Sequence, residues 1–458
     1  MQTTVGTVLE PGQFFHGLLV HSLLGQGAMG AAYLASHPML QIPLVIKIFK
    51  VSNDLSIFKE AHLAARVSSP NVVSVLDAGI ESGIPFVLQR YIDGIDLAEL
   101  IGYLKQSDWH LPVSMVSRIV IDVARGLHSI HQAGVIHRDV KPANLFLCGN
   151  GITAVGDFGV AVDLAKGQDP SESLDSLAGT PSFMAPEQWL QERLERQTDV
   201  YALGVTAHVL ATNQVPFKGR NWYDLHLAHT SSLYQPPKAQ TPAEAYLFAV
   251  IEKALSKKAS DRFATTESMA QVLERIIEPL PKFVLISQDI AQVGALTIEI
   301  KQGDLTQEAG EVIVNAANTQ LTMRLGVANA LRKAGGDSIE EEACIQGPVK
   351  MGDVVWTGSG TLRARAIAHA VAALEGAICL QRTTLRVLMG AEMRNFSYVL
   401  FPALGTGVGD VPMDLAAKLM LEAIQTFASL QPRNVRRIKV ILFGEMALNR
   451  WRYVLNSM

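Results

Sequence analysis

The stretch His137-Arg138-Asp139-Val140-Lys141-Pro142-Ala143-Asn144 decides the reading of this chain. It sets one acid, one lysine and one amide within six positions, which is the set that phosphoryl transfer requires. Asp139 can orient a hydroxyl and accept its proton, and Lys141 can neutralise a phosphate in transit. Asn144 can hold a magnesium ion that bridges phosphates. A buried turn carrying chance polar residues is the bland alternative, and the flanking segments weigh against it.

Upstream, Gly25-Gln26-Gly27-Ala28-Met29-Gly30-Ala31-Ala32 follows an apolar run from Leu18 to Leu24. Such glycines let a strand–turn–strand fold its backbone closely over phosphates. Leu44-Val45-Ile46-Lys47 is an alternating strand that ends in a lysine, and an amphipathic helix is predicted over about 55–67 with Glu60 on it. A long apolar-periodic helix is predicted over Val113 to Ala133, stopped by Gly134. Downstream come Asp157-Phe158-Gly159, then Ala185-Pro186-Glu187, with Ser171, Ser173, Ser176 and Thr180 between them.

These blocks, in this order over about residues 15 to 278, resemble the eukaryotic-type Ser/Thr protein kinases of bacteria. The resemblance implies a two-lobed α+β fold with ATP and Mg²⁺ between the lobes. Gly25, Gly27 and Gly30 would cover the phosphates, Lys47 would contact them, and Glu60 would pair with Lys47. Asp139 and Lys141 would act in catalysis, and Asn144 and Asp157 would hold metal. The four loop residues are candidates for activating phosphorylation, with Thr180 placed to bridge Asp139 and Lys141. Asp199 should brace the catalytic loop from a buried helix, and Arg262 should pair with Glu187. Gln89 falls at the gatekeeper position, Arg90 replaces a usual glutamate, and Val45 and Ala32 replace a usual alanine and valine.

Length and composition set outer bounds. At 458 residues the chain has room for roughly three folding units. Hydrophobic content of 48%, charged content of 18% and a net charge of −4 describe an ordinary globular chain. Nothing there points to nucleic acid or an anionic membrane surface. Three scattered cysteines argue against a disulfide framework and fit a reducing compartment. No apolar run is long enough to span a bilayer, so a soluble, cytoplasmic signalling protein is expected.

Past Glu278-Pro279-Leu280-Pro281 a new α/β pattern begins. Gly303-Asp304-Leu305-Thr306 closes an alternating strand, and Val312-Ile313-Val314-Asn315-Ala316-Ala317-Asn318 is a buried strand ending in small polar residues. Gly326-Val327-Ala328 opens a helix, and Val399 to Gly409 runs from a strand into a glycine-rich loop. Glycine-rich loops and helix starts at strand ends suit a pyrophosphate. These elements resemble the macrodomain family, a three-layer α/β fold that binds ADP-ribose. The resemblance implies that Asp304 meets the adenine amino group and that Asn318 lies near the distal ribose. Gly326 and Val327 would meet the diphosphate, with Gly405, Thr406, Gly407, Val408 and Gly409 on its other side. Two departures stand out: Met323-Arg324-Leu325 replaces a glycine run, and Ala328 stands where hydrolytic members often carry an aspartate.

The expected architecture is therefore multidomain. It comprises a lead (1–14), a bilobal kinase (15–278), a linker (279–292) and a macrodomain (293–458). The expected activity is ATP-dependent phosphorylation of protein serine or threonine, with autophosphorylation. The macrodomain would recruit ADP-ribosylated proteins or sense free ADP-ribose. Two alternatives stay open at this point: a macrodomain that hydrolyses ADP-ribosyl groups under kinase control, and a pseudokinase scaffold.

Overall fold

The strand Pro43–Phe49 alternates buried and half-buried positions along its length. Successive strand side chains point to opposite faces, so this alternation sorts them into two sets. Leu44, Ile46 and Ile48 join Phe15, Val20, Tyr33 and Phe86 in a core on one face, while Lys47 projects from the other. In the computed structural model this strand lies in a six-stranded antiparallel sheet. The order is Phe14–Phe15, Leu18–Gln26, Gly30–Ser36, Pro43–Phe49, Ile84–Arg90, Val75–Glu81. The structure describes residues 9–27, 30–40, 42–50, 61, 64–157, 162–163, 180–374, 377–407 and 409–458. Within the expected lead, Leu9 is buried and its amide donates to the Tyr33 hydroxyl, and Phe14–Phe15 pairs with the next strand.

A helical unit follows. The helix Val113–Gln132 buries a stripe running from Met115 to Ile130, and Gly134 leaves it with φ +81°, a conformation glycine adopts without strain. Beside it, Arg196–Thr212 is buried almost from end to end, which carries Asp199 into the interior. Among the described residues, no helix is long and apolar enough to cross a membrane.

The second half is an eight-stranded mixed sheet. Its order is Phe283–Ser287, Ile290–Val293, Leu296–Gln302, Arg437–Leu442, Tyr398–Pro402, Val312–Ala316, Ala366–Ala370, Val354–Thr357. The five strands from Leu296–Gln302 to Ala366–Ala370 run parallel to one another. Val312 and Val314 pack with the helices Leu380–Met393 and Met413–Ser429, whereas Ile313, Leu400 and Ile441 pack with Gly326–Gly335 and Ser338–Ile345. Helices thus cover both faces, giving the three layers expected. Residues 283–292, read from the sequence as part of a linker, form with Val293 a hairpin that extends this sheet at one edge.

The two halves share a packed interface. Trp109 sits edge-on to Phe427 with ring centroids 6.1 Å apart. Asp93, at the connection between the kinase lobes, accepts hydrogen bonds from the backbone N–H groups of Gln381 (2.9 Å) and Arg382 (2.8 Å). Those are first-turn amides of the helix Leu380–Met393, whose own preceding residue, Cys379, makes no side-chain cap. A residue 288 positions upstream therefore caps this helix, and its carboxylate also suits the positive end of the helix dipole. Arg386 of the same helix grips Glu99 through two bonds of 2.6 and 2.8 Å.

Candidate functional site

The catalytic loop is held by a buried aspartate. Asp199 Oδ2 accepts from the His137 amide (2.9 Å) and from His131 Nε2 (2.7 Å), and Oδ1 accepts from the Arg138 amide (2.9 Å). Burial alone would raise the Asp199 pKa. The hydrogen bond and charge of His131, with the hydrogen bond from the His137 amide, outweigh burial and hold it below the usual carboxylate range. His137 accepts from the Asp139 amide at Nδ1, so Nε2 is the protonated nitrogen, and it donates to the Gly156 carbonyl at 2.9 Å. The catalytic loop and the Asp157 segment are thereby joined.

Arg138 and Asp157 both take positive φ, +69° and +57°. Non-glycine residues held there carry strain that the surrounding bonds must maintain. The result is a close cluster. Lys141 Nζ lies 2.7 Å from Asp139 Oδ2, and Asn144 Nδ2 donates to the same oxygen at 3.0 Å and to the Asp139 carbonyl at 2.8 Å. That use of the amide nitrogen leaves Asn144 Oδ1 as the atom able to ligate a cation. Lys47 Nζ lies 3.0 Å from Asp157 Oδ1. Burial pushes the Asp157 pKa up, but Lys47 in direct contact, with His137 and Lys141 nearby, brings it below the usual carboxylate range. An ionised Asp157 and an amide oxygen form a hard, oxygen-only donor set suited to magnesium.

The glycine turn has its own physical reason. A Cβ on Gly30 would lie 2.0 Å from the Ile48 carbonyl oxygen, so only glycine permits that strand approach. The Gly27 amide closes the turn onto the Gly30 carbonyl at 2.8 Å. Thr180, expected to bridge Asp139 and Lys141, meets Asp139 through its backbone N–H (3.3 Å to Oδ1). Glu187 and Arg262 form the expected pair, with two bonds of 2.7 and 2.8 Å. Glu60, Ser171, Ser173, Ser176 and Val408 lie outside the described residues.

In the second domain the candidate residues gather at the carboxyl ends of adjacent parallel strands, where open α/β sheets bind ligands. Asp304 Oδ1 accepts from the Thr306 amide (2.9 Å) and hydroxyl (2.8 Å), which fixes the carboxylate and leaves Oδ2 for a ligand. Gly405 has φ +77°, and its carbonyl accepts from the Val411 amide (3.0 Å). Asn318 is tied into its own loop. Its amide group bonds the Thr322 carbonyl and hydroxyl and the Gln320 and Thr322 amides, all within its own loop. It shapes the loop that leads to Gly326 and Val327. Met323 is fully buried beside Leu305 and Leu331, while Arg324 and Leu325 face solvent.

One residue escaped the sequence reading. Phe443 directly follows the strand Arg437–Leu442 and is 96% exposed, beside the Asp304 turn, because the Gly303 amide bonds the Leu442 carbonyl at 3.1 Å. An exposed ring beside a carboxylate offers a stacking surface for a base.

Comparison with known proteins agrees with both halves. The protein kinase domain model matches residues 18–274, and the Macro domain model matches 314–420. Serine/threonine-protein kinase Pkn1 of Myxococcus xanthus is 31% identical over 286 residues, covering 60% of this chain and 40% of that protein. Serine/threonine-protein kinase PknB of Mycolicibacterium smegmatis is 30% identical over 267 residues, covering 56% and 42%. The chain thus spans about 40% of the length of these relatives. The crystal structure of the Mycobacterium tuberculosis PknI kinase domain aligns with a TM-score of 0.45 at 30% identity, over 59% of this chain and 99% of that one. The kinase model alone spans more than half of the sequence, and so this chain belongs to the protein kinase family and carries a Macro domain behind its kinase domain.

Proposed function

We propose that this chain is an ATP-dependent Ser/Thr protein kinase whose second domain binds ADP-ribose, free or attached to protein. The observation that carries the first part is the convergence of Asp139, Lys141 and Asn144 within hydrogen-bond distance of one carboxylate oxygen, across from the Lys47–Asp157 pair. In this reading the nucleotide lies beneath the turn Gly25 to Gly30, and Lys47 holds its phosphates. Asp139 takes the hydroxyl proton of the incoming serine or threonine, and Lys141 balances charge on the moving phosphoryl group. Asn144 Oδ1 and Asp157 would hold magnesium, which when bound neutralises charge on the phosphate oxygens. A pseudokinase scaffold is disfavoured by the presence of Lys47, Asp139, Asn144 and Asp157 together. Incubation of the whole protein with labelled ATP, Mg²⁺ and a generic Ser/Thr protein substrate tests the proposal. Incorporation that Lys47→Met removes supports it, and no incorporation above that variant's background refutes it.

For the second domain, binding is the supported reading. Ala328 is buried and supplies no acid at the position where one would be needed for hydrolysis by that route. Calorimetric titration of ADP-ribose into the whole protein should give saturable binding. Asp304→Ala should weaken it by about tenfold or more, the effect of losing a hydrogen bond to a charged group. Phe443→Ala should weaken it by about five- to a hundredfold, the range for loss of one base-stacking ring. Equal affinity in wild type and both variants would place the ligand elsewhere.

A further inference from the structure

The sheet face that carries Lys47 also carries Ala32, Leu34 and Val45. Ala32 pairs with Lys47 and Leu34 with Val45, and directly paired residues share a face. At its Lys47 end this face meets Asp157. Its other end is covered by the second domain. Leu34 is fully buried in a cluster with Tyr91, Met351, Val371 and Cys379, and Leu24, Val45 and Val349 pack against it. Lys350 Nζ donates to the carbonyl of Leu24 at 3.0 Å, one residue before Gly25.

The segment bearing Lys350 is itself held firmly. The Val349 amide bonds the Thr319 carbonyl (2.9 Å), the Lys350 amide bonds Asp353 Oδ2 (2.9 Å), and the Gly352 amide bonds the Val371 carbonyl (2.8 Å). Past the hinge, the same domain grips the helical lobe. Arg386 holds Glu99, and the Thr426 hydroxyl donates to the Gly149 carbonyl at 2.6 Å. One folded body therefore touches the roof strand, the hinge and the helical lobe.

We infer that Lys350 is a positioning residue for the nucleotide: it ties the Leu18–Gln26 strand to the macrodomain and so sets the separation of the lobes at the hinge end of the cleft. The inference rests on the reading that a nucleoside triphosphate lies beneath the glycine turn. Apparent affinity scales with the fraction of molecules in the binding-competent state, so a roof released from its tether binds less tightly. The contact lies between a surface lysine and a backbone carbonyl, so replacing Lys350 changes the tether without opening a core.

The test titrates a fluorescent ATP analogue into the whole protein as wild type, Lys350→Glu and Lys350→Arg, and measures KM for ATP and kcat alongside. Lys350→Glu, which sets a carboxylate against the Leu24 carbonyl, should weaken binding about three- to tenfold. Its KM should rise equally, with kcat within about twofold, and Lys350→Arg should restore wild-type affinity within about twofold. Unchanged affinity in Lys350→Glu overturns the inference, as does an equal loss in both variants or a fall in kcat at constant KM. If wild type binds the analogue but transfers no phosphate, the kinase reading fails, while the ranking of the three affinities still decides the role of Lys350. If wild type does not bind the analogue, both fall.

Discussion

Asp139→Asn is expected to lower phosphate incorporation by about 10²- to 10⁴-fold, the usual contribution of a positioned general base, with nucleotide affinity close to wild type. The carboxylate sits between Lys141 and Asn144 on one oxygen and the Thr180 amide on the other. Asparagine keeps the shape and one acceptor oxygen, so the loop retains its course, but it cannot take a hydroxyl proton. In the proposed reading the nucleotide is held by other residues, Lys47 and the glycine turn, so binding and turnover should separate. Labelled ATP reports turnover and a fluorescent analogue reports binding. Incorporation within tenfold of wild type would remove Asp139 from the proposed role.

Arg262→Leu is expected to be the most damaging substitution for stability, at about 3–5 kcal/mol, the cost of stranding one member of a buried ion pair. The Arg262 side chain is fully enclosed, and beyond Glu187 it donates to the carbonyls of Ser256, Gln197 and Lys257. Among the described residues, leucine would leave the buried Glu187 carboxylate with the Thr198 hydroxyl as its remaining side-chain partner. Glu187 also begins the segment whose Gln188 bonds the Arg138 carbonyl, so the loss should spread to the catalytic loop. Urea denaturation monitored by tryptophan fluorescence measures it. Glu187→Leu combined with Arg262→Leu should cost less than the sum of the single changes, since no unpaired charge then remains. A loss below about 1 kcal/mol for Arg262→Leu would show that the pair does not carry this load.

Much of this was legible in the sequence because the chemistry is local. Asp139, Lys141 and Asn144 lie within six positions, and the residues that brace them, Asp199, Glu187 and Arg262, sit in short strings of recognisable type. The macrodomain loops were legible for the same reason, as strand ends followed by glycine and small polar residues. What escaped depends on three-dimensional neighbours. Asn318 reads identically whether its amide faces a ligand or its own loop, and only the bonds to Thr322 and Gln320 distinguish the two. Phe443 looks like the end of an apolar strand until its exposure is known. The hairpin at 283–293 was hidden by the prolines at 279 and 281, which mark a break, while its pairing with Leu296–Gln302 is visible only in three dimensions.

The helix cap supplied by Asp93 bears on the order in which the chain assembles. Synthesis runs from the N-terminus, and domains generally fold as units as they emerge. The carboxylate of Asp93 is therefore in place before Gln381 and Arg382 exist, and the later helix meets a finished receptor for its first amides. The contact spans 288 residues, so its closure entropy falls on the second domain's final docking and not on the nucleation of the first.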